Sequence, residues 1–180
     1  MKTRKPKISL FDFLATGRFG AFTPRRDCTP EDVMAVFGRP HELDTPSNPA
    51  PVSPYTPGDP ACFPLVVSYG EIEFHFESPG SLVALFADRF CGRRHEPWGG
   101  SLVLTDAALL RALRPLEDFQ RLARARGLVV LSVKPHAAPF AFLVTTAGGI
   151  EVGFEHDDPD APNSRPVLRW FSWSPPRSGL

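Results

Sequence analysis

Residues 70–77 of this chain read GEIEFHFE, and residues 148–155 read GGIEVGFE. Gly, Ile, Glu, Phe and Glu recur in register between the two segments, and Phe74 corresponds to Val152. Each segment alternates apolar with polar residues, which is typical of a strand with one buried side and one side facing solvent. The recurrence predicts two similar acidic strands in an α+β chain, rather than one enzyme domain built around a catalytic motif.

A helical pattern precedes each acidic segment. Residues 29–33 (TPEDV) supply Thr at the N-cap, Pro in the first turn and acids near the positive end of a helix. Residues 115–119 (PLEDF) begin a second such helix, which Gly127 is expected to end. A helix therefore precedes each acidic strand.

Shorter signals complete the expected order of elements. Residues 8–14 suit a short amphipathic helix ending at Gly17, and Thr105 or Asp106 is expected to cap a helix through Leu113. Runs rich in β-forming residues predict the strands at 65–69, 72–76, 82–87, 128–133, 140–145, 150–154 and 167–173. The expected fold class is α+β, with two similar halves, each two helices followed by an antiparallel three- or four-stranded meander.

The domain boundaries follow from that order. Residues 1–7 form a basic tail, residues 8–100 the first half and residues 101–180 the second. Eight prolines within 39–64 predict a long loop in the first half, without a regular helix or strand ladder.

The composition restricts the class of partner. The 20 basic and 20 acidic residues balance, and that balance disfavours broad binding to nucleic acid or to a membrane surface. None of the three cysteines belongs to a C-x-x-C pair, and no signal peptide or run of about 20 apolar residues is visible. These features predict a cytoplasmic protein with reduced thiols.

Two resemblances bear on architecture and function. Residues 29–33 (TPEDV) followed by 37–40 (FGRP) are similar to a "T-x-E-x-V…G-x-P" helix, and the duplicated helix–helix–meander order resembles tandem β-lactamase-inhibitor-protein repeats. Single-repeat relatives of that architecture occur in outer-membrane assembly lipoproteins. This chain shows neither their lipobox cysteine nor their signal peptide, so their location is not carried over.

The second resemblance rests on a closer similarity of sequence. Residues 16–20 (TGRFG), the same TPEDV helix and residues 69–76 (YGEIEFHF) look like small bacterial proteins of the immunity type, encoded beside toxins. The match covers roughly residues 8–90 of the chain. It implies an inhibitor of a toxin and brings no known catalytic residue.

The candidate binding residues belong to the predicted acidic strands and to one aromatic segment. Carboxylates and a histidine at alternate strand positions would form a solvent-exposed sheet face that attracts a basic protein, such as a bacterial toxin. Trp170 and Phe171 are adjacent in a predicted strand, so one is expected in the core and the other exposed as an anchor. The predicted partner-binding residues are Glu71, Glu73, His75, Glu77, Glu151, Glu155 and Trp170.

Alternative functions remain open from the sequence. A small hydrolase could use His75 with a neighbouring carboxylate, or Cys91, although no G-x-S-x-G or phosphate-binding glycine motif occurs. A nucleic-acid accessory protein could use the basic N-terminus with Arg93 and Arg94. Cys91 and His95 could both face a metal ion, but the sequence contains no second Cys/His pair to complete the site. The carboxylates of residues 156–160 (HDDPD) suit a hard cation, but the segment lacks the pattern of a calcium loop and favours a solvated turn. No catalytic residue, metal or cofactor is therefore assigned.

Overall fold

The computed structural model describes residues 6–45, 55–87, 102–106, 115–136, 140–156 and 164–176. The described helices are α1 (Leu10–Thr16), α2 (Pro30–Phe37) and α3 (Leu116–Ala125), with a 3-10 turn at Pro60–Cys62. The described strands are β1 (Lys7–Ile8), β2 (Glu42–Asp44), β3 (Leu65–Tyr69), β4 (Ile72–Ser78), β5 (Ser81–Ala87), β6 (Val103–Leu104), β7 (Val130–Pro135), β8 (Phe140–Thr146), β9 (Ile150–His156) and β10 (Pro166–Trp173). The helix expected through Leu113 lies mostly outside the described residues.

Eight of the strands form one antiparallel sheet in the order β2-β3-β4-β5-β10-β9-β8-β7. At its centre β5 pairs with β10, and Phe171 lies opposite Ala87. The two acidic segments of the sequence contain β4 and β9, each of which is third from an edge of the sheet. They are therefore separated by the central pair of strands.

The expected fold class is wrong. The chain is mostly β, and its four-stranded meanders join through β5 and β10 into one eight-stranded sheet instead of following two helices in each half. The described residues contain only three short helices. Local periodicity indicates a strand but not its partner, and the β5–β10 pairing joins residues more than 80 positions apart.

The proline-rich segment also differs from its expected form. Residues 42–44 form β2, which pairs with β3 through Glu42 opposite Ser68 and Asp44 opposite Val66. The strand lies at the edge of the sheet. In the sequence it falls between Pro40 and Pro46, so no proline interrupts its hydrogen-bond ladder. The expectation of a loop without a ladder is wrong for these three residues.

Helix α1 is held at its start by a residue almost a hundred positions away. Asp106 accepts hydrogen bonds from Leu10 N and Phe11 N, both at 2.9 Å, and from Ser9 Oγ at 2.8 Å. Nearby, β1 pairs with β6 in a separate two-stranded parallel sheet. A carboxylate at the positive end of a helix is stabilising, so Asp106 fixes the entry of α1.

The end of α1 docks on the turn between β8 and β9. Gly17 ends the helix with φ 71°, as the sequence predicted, and its N–H donates to Phe13 O. Gly148 N donates to Leu14 O at 3.2 Å, and Thr146 Oγ1 donates to the same carbonyl at 2.6 Å. A Cβ on Gly148 would lie 2.5 Å from Gly17 N, so backbone meets backbone here.

The start predicted for α2 is confirmed in atomic detail. Asp32 N donates to Thr29 Oγ1 at 3.2 Å, and Thr29 N donates to Asp32 Oδ2 at 2.8 Å. This reciprocal capping box satisfies two backbone donors that have no partner within the helix. The same contacts lower the pKa of Asp32 below its usual 3.8, because they favour the charged carboxylate.

All three helices contribute to one core on a single face of the sheet. Phe37 and Phe74 pack with ring centroids 5.7 Å apart beneath α2, and Phe119 and Phe154 pack at 5.5 Å beneath α3. Tyr69 is buried and donates its hydroxyl to Gly38 O at 2.7 Å, and burial raises its pKa to about 12. The helices thus form a second layer on one side of the sheet, and the alternate, less buried residues of β4 and β9 face the other side.

We expect Gly148→Ala to destabilise the protein by about 1–3 kcal/mol, because the new methyl group would meet backbone atoms of α1. Urea unfolding measures the change. Gly80→Ala is the matched control, since open space surrounds Gly80 and its expected effect is within about 0.5 kcal/mol. Equal stabilities of the two variants would contradict the close approach.

We expect Asp32→Ala to lower the free energy of unfolding by about 0.3–1 kcal/mol at pH 7, because it removes a carboxylate from the start of α2. The folded-state pKa is lowered, so this stabilisation is fully present above the usual pKa of 3.8 and is lost as the pH falls through the folded-state value. Urea unfolding at several pH values should show the two proteins converging in acid. If the difference in unfolding free energy stayed constant down to the lowest pH at which both proteins fold, the Asp32 carboxylate would not be the source of the stabilisation.

Candidate functional site

The sheet face opposite the helices, here called the open face, carries a row of residues that crosses six strands. The row is in direct register and consists of Ser68, Glu73, Phe86, Ser172, Glu151 and Thr145. Three strand intervals separate Glu73 from Glu151, which corresponds to about 14 Å. The equivalent carboxylates of the two acidic segments therefore lie on one surface, on either side of the sheet centre.

His75 lies two residues from Glu73 on the same side of β4. Its Nε2 atom is 2.9 Å from Glu73 Oε2, and the side chains are 36% and 39% exposed, respectively. This separation is that of a hydrogen bond between the imidazole and the carboxylate. The pair therefore keeps polar groups at the surface and orients the imidazole.

A shallow groove of about 340 Å³ lies beside this pair. His75 and Glu77 supply its polar lining, and Pro64, Val66 and Val83 supply apolar lining. Glu77 is exposed near the end of β4, where register shifts interrupt the pairing with β5. The groove offers a small apolar surface next to a negatively charged rim.

Two predicted site residues have different surroundings from those expected. Glu71 lies in the two-residue turn between β3 and β4, beside Gly70 with φ 68°, and not within a strand. Glu155 lies in β9 but forms an ion pair with Arg169 at 3.6 Å, and its side chain is only 27% exposed. Glu73 and Glu151 are therefore the central carboxylates of the open face.

Trp170 forms the aromatic part of the open face. Its ring lies 5.8 Å from that of Phe86 with a tilt of 33°, so the two side chains bridge the central strands. The indole lies directly over Gly153, where a Cβ would approach its ring to 2.0 Å. Phe171 is fully buried on the helix side, which confirms that these neighbours face opposite ways.

Sequence reasoning missed several residues of this surface. Phe86 follows four apolar residues, so alternation could not show which side it faces, and only its pairing with Glu73 reveals it. Glu42 and Asp44 are exposed on the edge strand within the proline-rich segment. The only sequence signal for these two residues was an acidic residue on either side of Leu43, and the surrounding prolines favoured a loop there.

Other candidates lie outside the described residues. They are Cys91, Arg93, Arg94, His95 and residues 157–160. Across the described ranges, no three His, Cys, Asp or Glu side chains cluster as they would around a metal ion. No helix in those ranges has the length and apolar character needed to cross a membrane.

Comparisons of the chain with known protein families, with curated proteins and with solved structures give no match. The resemblance to immunity-type proteins and to β-lactamase-inhibitor-protein repeats therefore stays a prediction. The geometry of the open face is the basis on which a function can be proposed.

We expect Gly153→Ala to displace the Trp170 indole and to destabilise the protein by about 1–3 kcal/mol. In a Trp170→Ala background the same substitution should cost much less, because the clashing ring is gone. Urea unfolding of the four proteins gives the coupling energy, and Gly80→Ala in both backgrounds serves as the control. Additive effects at Gly153 and Trp170 would show that the indole does not lie over the glycine.

Proposed function

We propose that this chain is a protein-binding module of the immunity type, which inhibits a basic toxin by covering its active-site cleft with the open face. The observation that carries the proposal is the registered row from Glu73 through Phe86 and Ser172 to Glu151. It combines separated carboxylates with an aromatic centre on the side of the sheet opposite the core residues Phe74, Phe154 and Phe171.

Charge is distributed unevenly in favour of this surface. The formal net charge of the chain is zero, yet the open face and its edge strand carry a group of acidic residues, namely Glu42, Asp44, Glu73, Glu77, Glu151 and Glu155. Arg169 is ion-paired with Glu155. A face with one dominant sign speeds the approach of an oppositely charged partner and sets its orientation.

The aromatic centre supplies binding energy that the charges alone do not. Trp170 and Phe86 present adjacent rings at the middle of the sheet, and large aromatic side chains near the centre of an interface contribute much of the binding energy. The indole packs over Gly153 and against the Phe86 ring. An anchor that is already ordered loses little conformational entropy on binding.

A cytoplasmic location accompanies the proposal. Cys28 and Cys62 are free and buried, and desolvation raises the pKa of the Cys28 thiol. A buried thiol held in its protonated form is a poor nucleophile, so Cys28 acts as a packing residue. Unpaired thiols are the usual state in a reducing compartment.

A small hydrolase is the second candidate, because the His75–Glu73 pair lies beside an apolar groove. An oriented imidazole could act as a general base on a bound substrate. Cys91, the alternative nucleophile, lies outside the described residues. Hydrolysis of simple ester substrates that is lost in His75→Ala, with the fold retained, would favour this candidate over the inhibitor.

We expect Glu73→Lys combined with Glu151→Lys to weaken the complex with a basic partner by about 10- to 100-fold at low salt, mainly through slower association. The partner is the protein that the tagged chain captures stoichiometrically from a lysate of its host, and biolayer interferometry measures the rates. Asp27→Lys combined with Glu117→Lys changes the net charge equally at exposed positions away from the open face. Equal weakening by both double variants would place the interface elsewhere.

A further inference from the structure

The groove beside His75 is shaped by two irregularities in the pairing of β4 with β5. Val83 is an extra residue of β5 at the register shift that follows His75, and Glu77 is an extra residue of β4 at the next shift, between Phe76 and Ser78. A bulge re-aims a side chain that strict alternation would direct elsewhere. Both extra residues line the groove of about 340 Å³. The two bulges therefore bring one apolar and one acidic side chain to the same place.

Strand pairing places a further carboxylate beside the groove. Val66 lies opposite His75, and Asp44 of the edge strand β2 lies opposite Val66. Residues directly opposite each other share one side of a sheet, so the three form a row on the open face. Asp44 and Glu77 are both exposed. The apolar surface formed by Val66 and Val83 thus has one carboxylate next to it and another within its lining.

The four strands around the groove carry charge of a single sign. Strands β2 to β5 contain the carboxylates Glu42, Asp44, Glu73 and Glu77 and no Arg or Lys. Strands β7 to β10 contain one Lys and one Arg beside two Glu. The His75–Glu73 pair adds no net positive charge in either protonation state of the imidazole, because the carboxylate offsets it. The open face is therefore polarised, and a cation is favoured at the groove.

The lining of the groove selects a particular kind of cation. An apolar surface below a carboxylate fits a side chain with an apolar stem and a charged end, as in Arg and Lys. A guanidinium is more weakly hydrated than an ammonium and can bind a carboxylate through two parallel hydrogen bonds, so an apolar-lined groove favours Arg. The volume of about 340 Å³ is near the lower end of the range for ligand sites, about 300–1,000 Å³, which suits one side chain.

We propose that this groove receives an arginine side chain of the basic partner that the open face binds. The guanidinium would contact Glu77, and its methylene groups would lie on Val66 and Val83. The proposal rests on the inhibitor function proposed above, because it takes the occupant from a protein bound to this face. It identifies the residue type that the partner presents to the acidic half of the sheet. Trp170, on the half of mixed charge, would contact a different part of the partner.

The test follows the amide proton–nitrogen NMR spectrum of the full chain during titration with the capped tripeptide Gly-Arg-Gly at constant ionic strength. Matched tripeptides carry lysine or citrulline, the neutral isostere of arginine, at the central position. We expect saturable shifts at the amides of Val66, His75, Glu77 and Val83, with a Kd of about 1–10 mM for the arginine peptide. The lysine peptide should bind about 3-fold more weakly, and the citrulline peptide about 10-fold more weakly.

A pair of variants tests the role of the groove carboxylate. Glu77→Gln preserves the size of the side chain and should weaken binding of the arginine peptide about 10-fold, because it removes a charge-assisted hydrogen bond. Glu117→Gln makes the same change of net charge at an exposed position on α3 and should bind as the parent does. The same spectra show whether each variant is folded.

Four results would overturn the proposal. The first is the absence of saturable shifts up to about 100 mM of the arginine peptide. The second is equal binding of the arginine peptide and either matched peptide. The third is unchanged binding in Glu77→Gln. The fourth is a dimer in analytical ultracentrifugation that Glu77→Gln converts to monomer, which would assign the groove to a second copy of the chain.

The titration uses no partner protein, so its failure can be distinguished from failure of the inhibitor function. If the Glu73→Lys and Glu151→Lys double variant loses a basic partner while the peptides do not bind, the groove proposal fails and the inhibitor function stands. If the arginine peptide binds selectively while the double variant retains its partner, the groove is supported and the interface on the open face is contradicted.

Discussion

The antiparallel pairing of β5 with β10 determines how the two ends of the sheet are related. Phe171, Ser172 and Trp173 lie opposite Ala87, Phe86 and Leu85, so the core residues of the two strands share one side and Phe86 and Ser172 share the other. Because strand side chains alternate, a shift of β10 by one residue would move Phe171 to the open face and Trp170 into the core. The alignment of Glu73 with Glu151 also depends on this register.

The helix layer reinforces the same arrangement from the other side. The first turn of α1 donates hydrogen bonds to Asp106, and the end of the helix lies against Gly148 in the turn between β8 and β9. Phe37 packs on Phe74 of β4, and Phe119 packs on Phe154 of β9. The aromatic contacts hold both halves of the sheet to the helices, and the open face carries its carboxylates on either side of the Trp170–Phe86 pair.

The sequence predicted local structure better than long-range pairing. The sequence correctly predicted the capping residues of α2 and the end of α1 at Gly17. It also predicted that Trp170 and Phe171 face opposite sides. Each of these features depends on residues within one turn or one strand. The β5–β10 pairing and the contact of Asp106 with α1 join distant segments, and no local pattern encodes them. The expectation of separate helix–meander halves failed for that reason. Alternation did indicate which side of their strands Glu73 and Glu151 occupy.

The site residues show the same division between local pattern and spatial context. Glu71 follows the alternation in the sequence yet belongs to a turn, because Gly70 adopts a positive φ that ends β3. Phe86 was hidden in an apolar run, and its role depends on the neighbouring strand. The chain as a whole has zero net charge, yet strand pairing places Glu73 and Glu151 on one side of the sheet, so the local charge of that face depends on the register and not on the composition.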